Sequence, residues 1–304
     1  MKSETKLIEW RTLSLVIATY TAWWLVVANF NALPILTAPL LLLVLAFHTS
    51  LVHELIHGHP TNYPWLNDFM GTPPIALIYP YAVFKDTHLR HHYNQDLTLP
   101  GVDPESFYCC RDTWQKKSEF KRKLAWMNMT LAGRLILNPM FSLIQMLKLC
   151  ASQLATGSLK QKLTWIIHIP ACAVVLYIAT VHYSVPLWIY LLCAYCAHSV
   201  IGLRAFFEHR TAEEPDERIV IVDACGFFKF MYLNNNFHAT HHRYPGMPWY
   251  EIEKQFRRDS QSVLQRNGNF YYSGYRDWLH YLFRPVASPV HPFPHGINAS
   301  SGAS

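Results

Sequence analysis

Leu33-Pro34-Ile35-Leu36-Thr37-Ala38-Pro39-Leu40-Leu41-Leu42-Leu43-Val44-Leu45-Ala46-Phe47-His48-Thr49-Ser50-Leu51-Val52-His53-Glu54-Leu55-Ile56-His57 decides how this chain is read. Leu33–Val52 carries no charged side chain and is about 20 residues long, enough for a helix to cross the hydrocarbon core of a bilayer. The apolar run ends directly on two histidines four residues apart. On a helix such a pair projects from one face, about 5–6 Å apart.

Three more uncharged or nearly uncharged stretches have the same length: Leu13–Phe30, Leu163–Tyr183 and Leu187–Phe207. The chain has 304 residues, 51% of them hydrophobic and only 15% charged, against about 25% charged in an average soluble domain. No Lys or Arg occurs between Arg11 and Lys85 or between Lys162 and Arg204. These features predict an all-α membrane protein with about four transmembrane helices in two hairpins. Leu13–Phe30 leads directly into a second span, so it is kept as a span and not as a cleaved signal. The turns at 29–34 and 182–186 lack basic residues, and the other polar segments hold all 26 Lys and Arg. The positive-inside rule therefore puts the N-terminus, the 85–162 segment and everything after Arg204 in the cytoplasm. The net charge of +6 reads as topology and attraction to anionic lipid. No basic stripe accompanies a recognition motif, so no nucleic-acid role is assigned. Seven scattered cysteines argue against a disulfide framework.

Between the hairpins, residues 65–84 are apolar but broken by Gly71, Pro73, Pro74 and Pro80, which predicts a surface or re-entrant segment. Asp103-Pro104-Glu105-Ser106 resembles a helix start. Residues 124–149 read as an amphipathic helix lying on the bilayer surface or, alternatively, buried in a core. Residues 1–284 form one membrane domain, and 285–304, rich in Pro and Ser, form an extended or loose tail in which His291 and His295 are bystanders.

Two further clusters repeat the histidine spacing, His88-Leu-Arg-His91-His92 and His238-Ala-Thr-His241-His242. With His53 and His57 they hold eight of the 17 histidines. The inferred topology puts all three clusters at one cytoplasmic membrane face, under a helical cap. Eight imidazoles exceed what one ion takes, so two metals fit better, and nitrogen ligation favours a mid-row transition metal over magnesium or calcium. Spacing alone does not select iron. His48, His168, His182, His198 and His280 have no such neighbours and read as packing residues, and His59 points to a different helix face from His57.

The three clusters in this order resemble the histidine boxes of the membrane fatty acid desaturase and hydroxylase superfamily. The surroundings Asp103-Pro-Glu-Ser and Asn236-Phe-His-Ala-Thr-His-His-Arg-Tyr-Pro-Gly look most like bacterial desaturases. The resemblance implies two iron ions (Fe2+/Fe3+) that activate O2 to remove hydrogen from an unactivated carbon chain. It adds His209, in Glu208-His209-Arg210, as a ninth ligand beside His53, His57, His88, His91, His92, His238, His241 and His242. It also implies a bacterial inner-membrane location, a fatty acyl or other long aliphatic substrate, and desaturation as the reaction. Hydroxylation of an alkyl, fatty acid or carotenoid substrate and oxidative formation of a terminal alkene remain alternatives.

Candidate groups for holding the ligands are Glu54, Asp96, Asp103, Glu208, Asp223, Asn234 and Asn236. No haem-attachment motif or dinucleotide fingerprint is present, so electrons are expected from a separate ferredoxin or rubredoxin with its reductase. Lys116, Lys117, Lys121, Arg122, Lys123, Lys254, Arg257 and Arg258 are candidates for docking that donor, or else a lipid-facing or solvated surface. Two rivals come from other classes. His53-Glu54-Leu-Ile-His57 is literally H-E-x-x-H, the motif of zinc proteases, which would leave the other two clusters unexplained. A metal carrier or sensor would need ligands leading through the membrane, whereas these clusters sit at one end of the spans.

Overall fold

The computed structural model describes residues 8–293. Helices dominate, and the only sheet among the described residues is a two-stranded parallel ladder of two residues per strand. Five helices are long and apolar enough to cross a membrane: α1 (Trp10–Ala28), α2 (Pro34–Ile56), α7 (Leu131–Thr156), α8 with its π-helical extension (Leu159–His182) and α9 (Leu187–Glu208). The chain is an all-α membrane protein. The count is one more than the sequence predicts, because the 124–149 segment is split. Its beginning belongs to α6 (Glu119–Met127), and α7 starts after a turn at Asn128. Ile136, Leu143, Ile144 and Leu147 of α7 are exposed, which suits a helix whose solvent is lipid.

Two compact units divide the chain. One comprises residues up to Asp86 with Pro139–Ile201, and the other comprises Thr87–Asn138 with everything from Gly202 on. In the first unit, α1 and α2 pack as a hairpin, and the broken segment appears as α3 (Pro64–Gly71) followed by irregular backbone up to Tyr81. Irregular backbone in apolar surroundings needs partners supplied by the protein, and side chains supply them here. Tyr20 donates to the Met70 carbonyl at 2.6 Å, and Tyr190 to that of Ile75 at 2.7 Å while accepting from Trp23 at 2.9 Å. His168 Nε2 meets the Leu77 carbonyl at 2.9 Å. Leu77 itself has φ 70°, a conformation that a leucine holds only when its surroundings dictate it. His168, read as a packing residue, therefore has a specific polar task.

The second unit carries the end of α4 (Tyr81–His92), α5 (Arg111–Gln115), α6, the last turns of α9, β1 (Ile221–Val222), α10 (Gly226–Met231), α11 (His238–Arg243), α12 (Trp249–Arg266) and β2 (Tyr271–Tyr272). Its core packs Phe206, Phe207, Met129, Val220, Val222 and Trp278, with Phe207 and Trp278 stacked at 4.0 Å. A second cluster seats Ile252, Phe256 and Val263 of α12 against Ile221 and Phe237.

One local expectation is corrected. No helix begins at Asp103; the residues there form turns, and the next helix starts at Arg111. Of the two alternatives for the tail, residues 285–293 take the extended one. Val286 N–H donates to the Met129 carbonyl, and the backbone of 289–291 pairs with Cys109 through two hydrogen bonds of 2.9 and 3.0 Å. His295 and Ser300–Ser304 lie outside the described residues.

Candidate metal centre

The second unit delivers seven histidines from three directions. His88, His91 and His92 share one face at the end of α4, His238, His241 and His242 share one face of α11, and His209 is the first residue after α9. His209 is held by backbone pairing on both sides: Val220 N–H donates to the Glu208 carbonyl and Arg210 N–H to that of Arg218. The approach to α11 turns through Leu233 and Asn234, with φ of 49° and 55°. Asn236 fixes it by donating to the Val222 carbonyl at 2.6 Å.

Two groups result. In the first, His91, His209, His238 and His242 bring one ring nitrogen each to within 4.8 Å of the others. The Nε2 atoms of His91 and His238 lie 3.0 and 3.1 Å from His209 Nε2, and His242 Nε2 lies 3.0 Å from His238 Nε2. In the second, His92 Nε2 lies 3.0 Å from His88 Nε2 and 3.2 Å from His241 Nε2. The groups adjoin, with the His92 and His242 rings stacked at 4.1 Å. In the first unit, His53 and His57 at the end of α2 have ring centroids 4.8 Å apart.

The far nitrogens decide what these groups can hold. His91 Nδ1 is 2.8 Å from the Asp103 carboxylate, His88 Nδ1 is 2.9 Å from that of Glu105, and His238 Nδ1 sits 3.1 Å from the Asn235 amide and 3.5 Å from Glu208. A carboxylate facing Nδ1 places the ring proton there and leaves Nε2 as a bare acceptor. His91 and His88 thus each offer a bare Nε2 to a neighbouring ring nitrogen 3.0 Å away, an arrangement that one cation per group can share. The donor set therefore fits a transition metal in each group.

Electrostatics divides the rings. Burial alone would lower the His91 pKa, but the charge of Glu105 and the hydrogen bond to Asp103 overcome it and leave the ring above its ordinary value. Burial would raise Asp103, yet its bonds to His91 and to the Thr98 and Glu105 N–H groups hold it below the usual range. By contrast, burial and then the neighbouring His91 charge push His209 down to about 3. Burial and adjacent imidazoles also push His238 and His242 well below 6.5. Those three rings are held neutral, the form that binds a metal.

Of the groups proposed to hold ligands, Asp103 and Glu208 touch ligand candidates. Asp223 instead pairs with Arg257 at 2.6 Å, Asn234 donates to the Trp249 carbonyl, Asn236 braces the backbone, and Asp96 acts on Arg218. Glu105 and Asn235 are further groups on the ligand candidates; Glu105 lies inside the quoted Asp103-Pro-Glu-Ser stretch, and Asn235 directly precedes the quoted stretch that begins at Asn236. Much of the basic surface is already partnered. Arg257 binds Asp223 and Glu253, Lys254 binds Glu251, and Lys123 binds Glu119.

No curated protein matches the chain significantly. The fatty acid desaturase family model, however, matches residues 22–275, more than four-fifths of the chain, and takes in all nine histidines. This embedded helical protein with its convergent imidazoles belongs to the fatty acid desaturase family.

Proposed function

We propose that the protein is an O2-dependent desaturase of an aliphatic, fatty acyl chain, with two iron ions held by nine histidines. His91, His209, His238 and His242 serve one ion and His88, His92 and His241 the other, and His53 and His57 of the first box are the remaining ligand candidates. The observation that carries this reading is the pair of adjoining histidine groups whose outer nitrogens are fixed by Asp103, Glu105 and Glu208. When bound, the iron pair supplies the oxidising power to activate O2 and abstract hydrogen from an unactivated carbon.

The chain's own residues do the rest. Asp103 and Glu105 keep the ring proton on Nδ1 of His91 and His88, so that Nε2 stays available as a ligand. A cavity of about 250 Å3 lined by His92 and His242 admits small reactants. The histidine sites and both termini face the cytoplasmic side of a bacterial inner membrane, which takes an even number of crossings: α1, α2, α8 and α9 cross, and α7 lies in the membrane surface. Electrons come from a separate ferredoxin or rubredoxin with its reductase, docking on basic residues such as Lys116, Lys117, Lys121 and Arg258.

Hydroxylation and terminal-alkene formation start from the same hydrogen abstraction, and product mass separates them. Membranes containing the protein are given a fatty acyl panel, O2 and a reducing system. Products lacking two hydrogens support desaturation, and products gaining oxygen without that loss refute it. A zinc protease would hold one zinc and give neither.

A further inference from the structure

The C-terminal strap reaches the metal centre through one buried histidine. His291 is 3% exposed and packs edge-on against Tyr108 at 5.4 Å. Its N–H donates to the Cys109 carbonyl, and the Cys109 N–H donates to the Pro289 carbonyl, which fixes its place. Its Nε2 lies 3.1 Å from Thr98 Oγ1, and its Nδ1 lies 2.9 Å from the Phe293 carbonyl.

Thr98 is an unusual partner. It has φ 71°, which crowds a β-branched side chain and persists only where the surroundings over-determine it. Every polar group of Thr98 is engaged. Its N–H donates to Asp103 Oδ2 at 2.7 Å, its carbonyl accepts from the Ser106 hydroxyl, and its own hydroxyl meets His291. The preceding carbonyl, of Leu97, accepts from buried Arg218 at 2.8 Å. The other oxygen of Asp103 contacts His91 Nδ1 at 2.8 Å. A continuous chain of contacts thus runs from His291 through Thr98 and Asp103 to a candidate ligand.

We propose that His291 is a positioning residue: it holds Thr98 in its left-handed conformation, which aims the Asp103 carboxylate at His91 and fixes that ring for its metal. This rests on the reading of the histidine groups as metal sites. The strap is then part of the metal centre and not a tail.

The test uses the full-length protein, purified in detergent and reconstituted with Fe(II). Release of iron into a chelator and the ligand-field spectrum of the Co(II)-substituted form are the readouts. His291→Ala should release one of the two irons about 10-fold faster, at the low end of the effect of removing an outer partner, and should alter the Co(II) spectrum. His291→Gln, which can still reach the Thr98 hydroxyl, should restore most of the retention. In an Asp103→Asn background, His291→Ala should add little further loss, because both act through the same carboxylate. Wild-type retention and an unchanged spectrum in His291→Ala would overturn the inference while leaving the metal reading intact. So would an effect fully additive with Asp103→Asn. A wild-type protein that binds no metal would overturn both. If His291→Ala is not monodisperse, Thr98→Val decides: it keeps the side-chain shape but removes the hydroxyl, and it should show the same faster release.

Discussion

Asp103→Asn is the most informative single change. Asp103 is 4% exposed and accepts from three donors at once: His91 Nδ1 at 2.8 Å, Thr98 N–H at 2.7 Å and Glu105 N–H at 2.9 Å. Alanine would orphan all three, at about 1–3 kcal/mol each, a large share of a typical total stability of about 5–15 kcal/mol. Asparagine keeps the shape but has one acceptor oxygen and no charge, so either the Thr98 N–H or the pair of His91 Nδ1 and Glu105 N–H loses its acceptor, and His91 loses the negative partner in both cases. Removing such an outer partner typically costs about 10–100-fold in metal affinity, or about 1.4–2.8 kcal/mol. The variant should therefore lose the metal of the His91 group and retain the other. Metal content per chain after a fixed chelator exposure measures this. Retention of both metals at the wild-type rate would refute the role given to Asp103.

Tyr190→Phe removes a hydroxyl that bridges the Trp23 indole and the Ile75 carbonyl, and should lower stability by about 1–2 kcal/mol, read as a lower melting temperature in detergent. Phe207→Ala, which opens a hole beside Trp278, should cost about 3–5 kcal/mol, and unfolding followed by tryptophan fluorescence would show it. Asp223 has its pKa lowered: the hydrogen bond from Arg257 is the largest cause, burial opposes it, and the charges of Arg257 and Lys229 add to the lowering. Its folded value lies below its unfolded one. The stability it contributes is therefore full above the ordinary value of about 3.9 and fades as pH falls through the lowered folded value. Asp223→Asn should cost less than about 1 kcal/mol near neutrality, because the pair is solvent-screened. Denaturant midpoints of variant and wild type should converge in acid.

Much of the fold was legible because a run of about 20 apolar residues has few interpretations. The fifth apolar helix was obscured by Arg134, Asn138, Gln145 and Lys148, which make α7 read as amphipathic. Spacing revealed the histidines, since i, i+3 and i+4 must share a face. The groups that orient them were only partly visible. Asp103 was ambiguous because an Asp-Pro pair also suits a helix start, and Glu105 reaches His88 only through a turn set by tertiary contacts. The strap's partners are not legible in a Pro-rich segment, which reads equally as extended or loose; its N–H groups at Val286 and His291 find backbone acceptors far away in sequence.

The central claim is two redox metals used for oxygen-dependent dehydrogenation. The most direct measurement is metal content of the purified protein, taken together with the mass of products formed from a fatty acyl panel with O2 and a reductant. The account predicts two irons per chain and products lighter by two hydrogens. One zinc per chain, with no oxidised product, would contradict it.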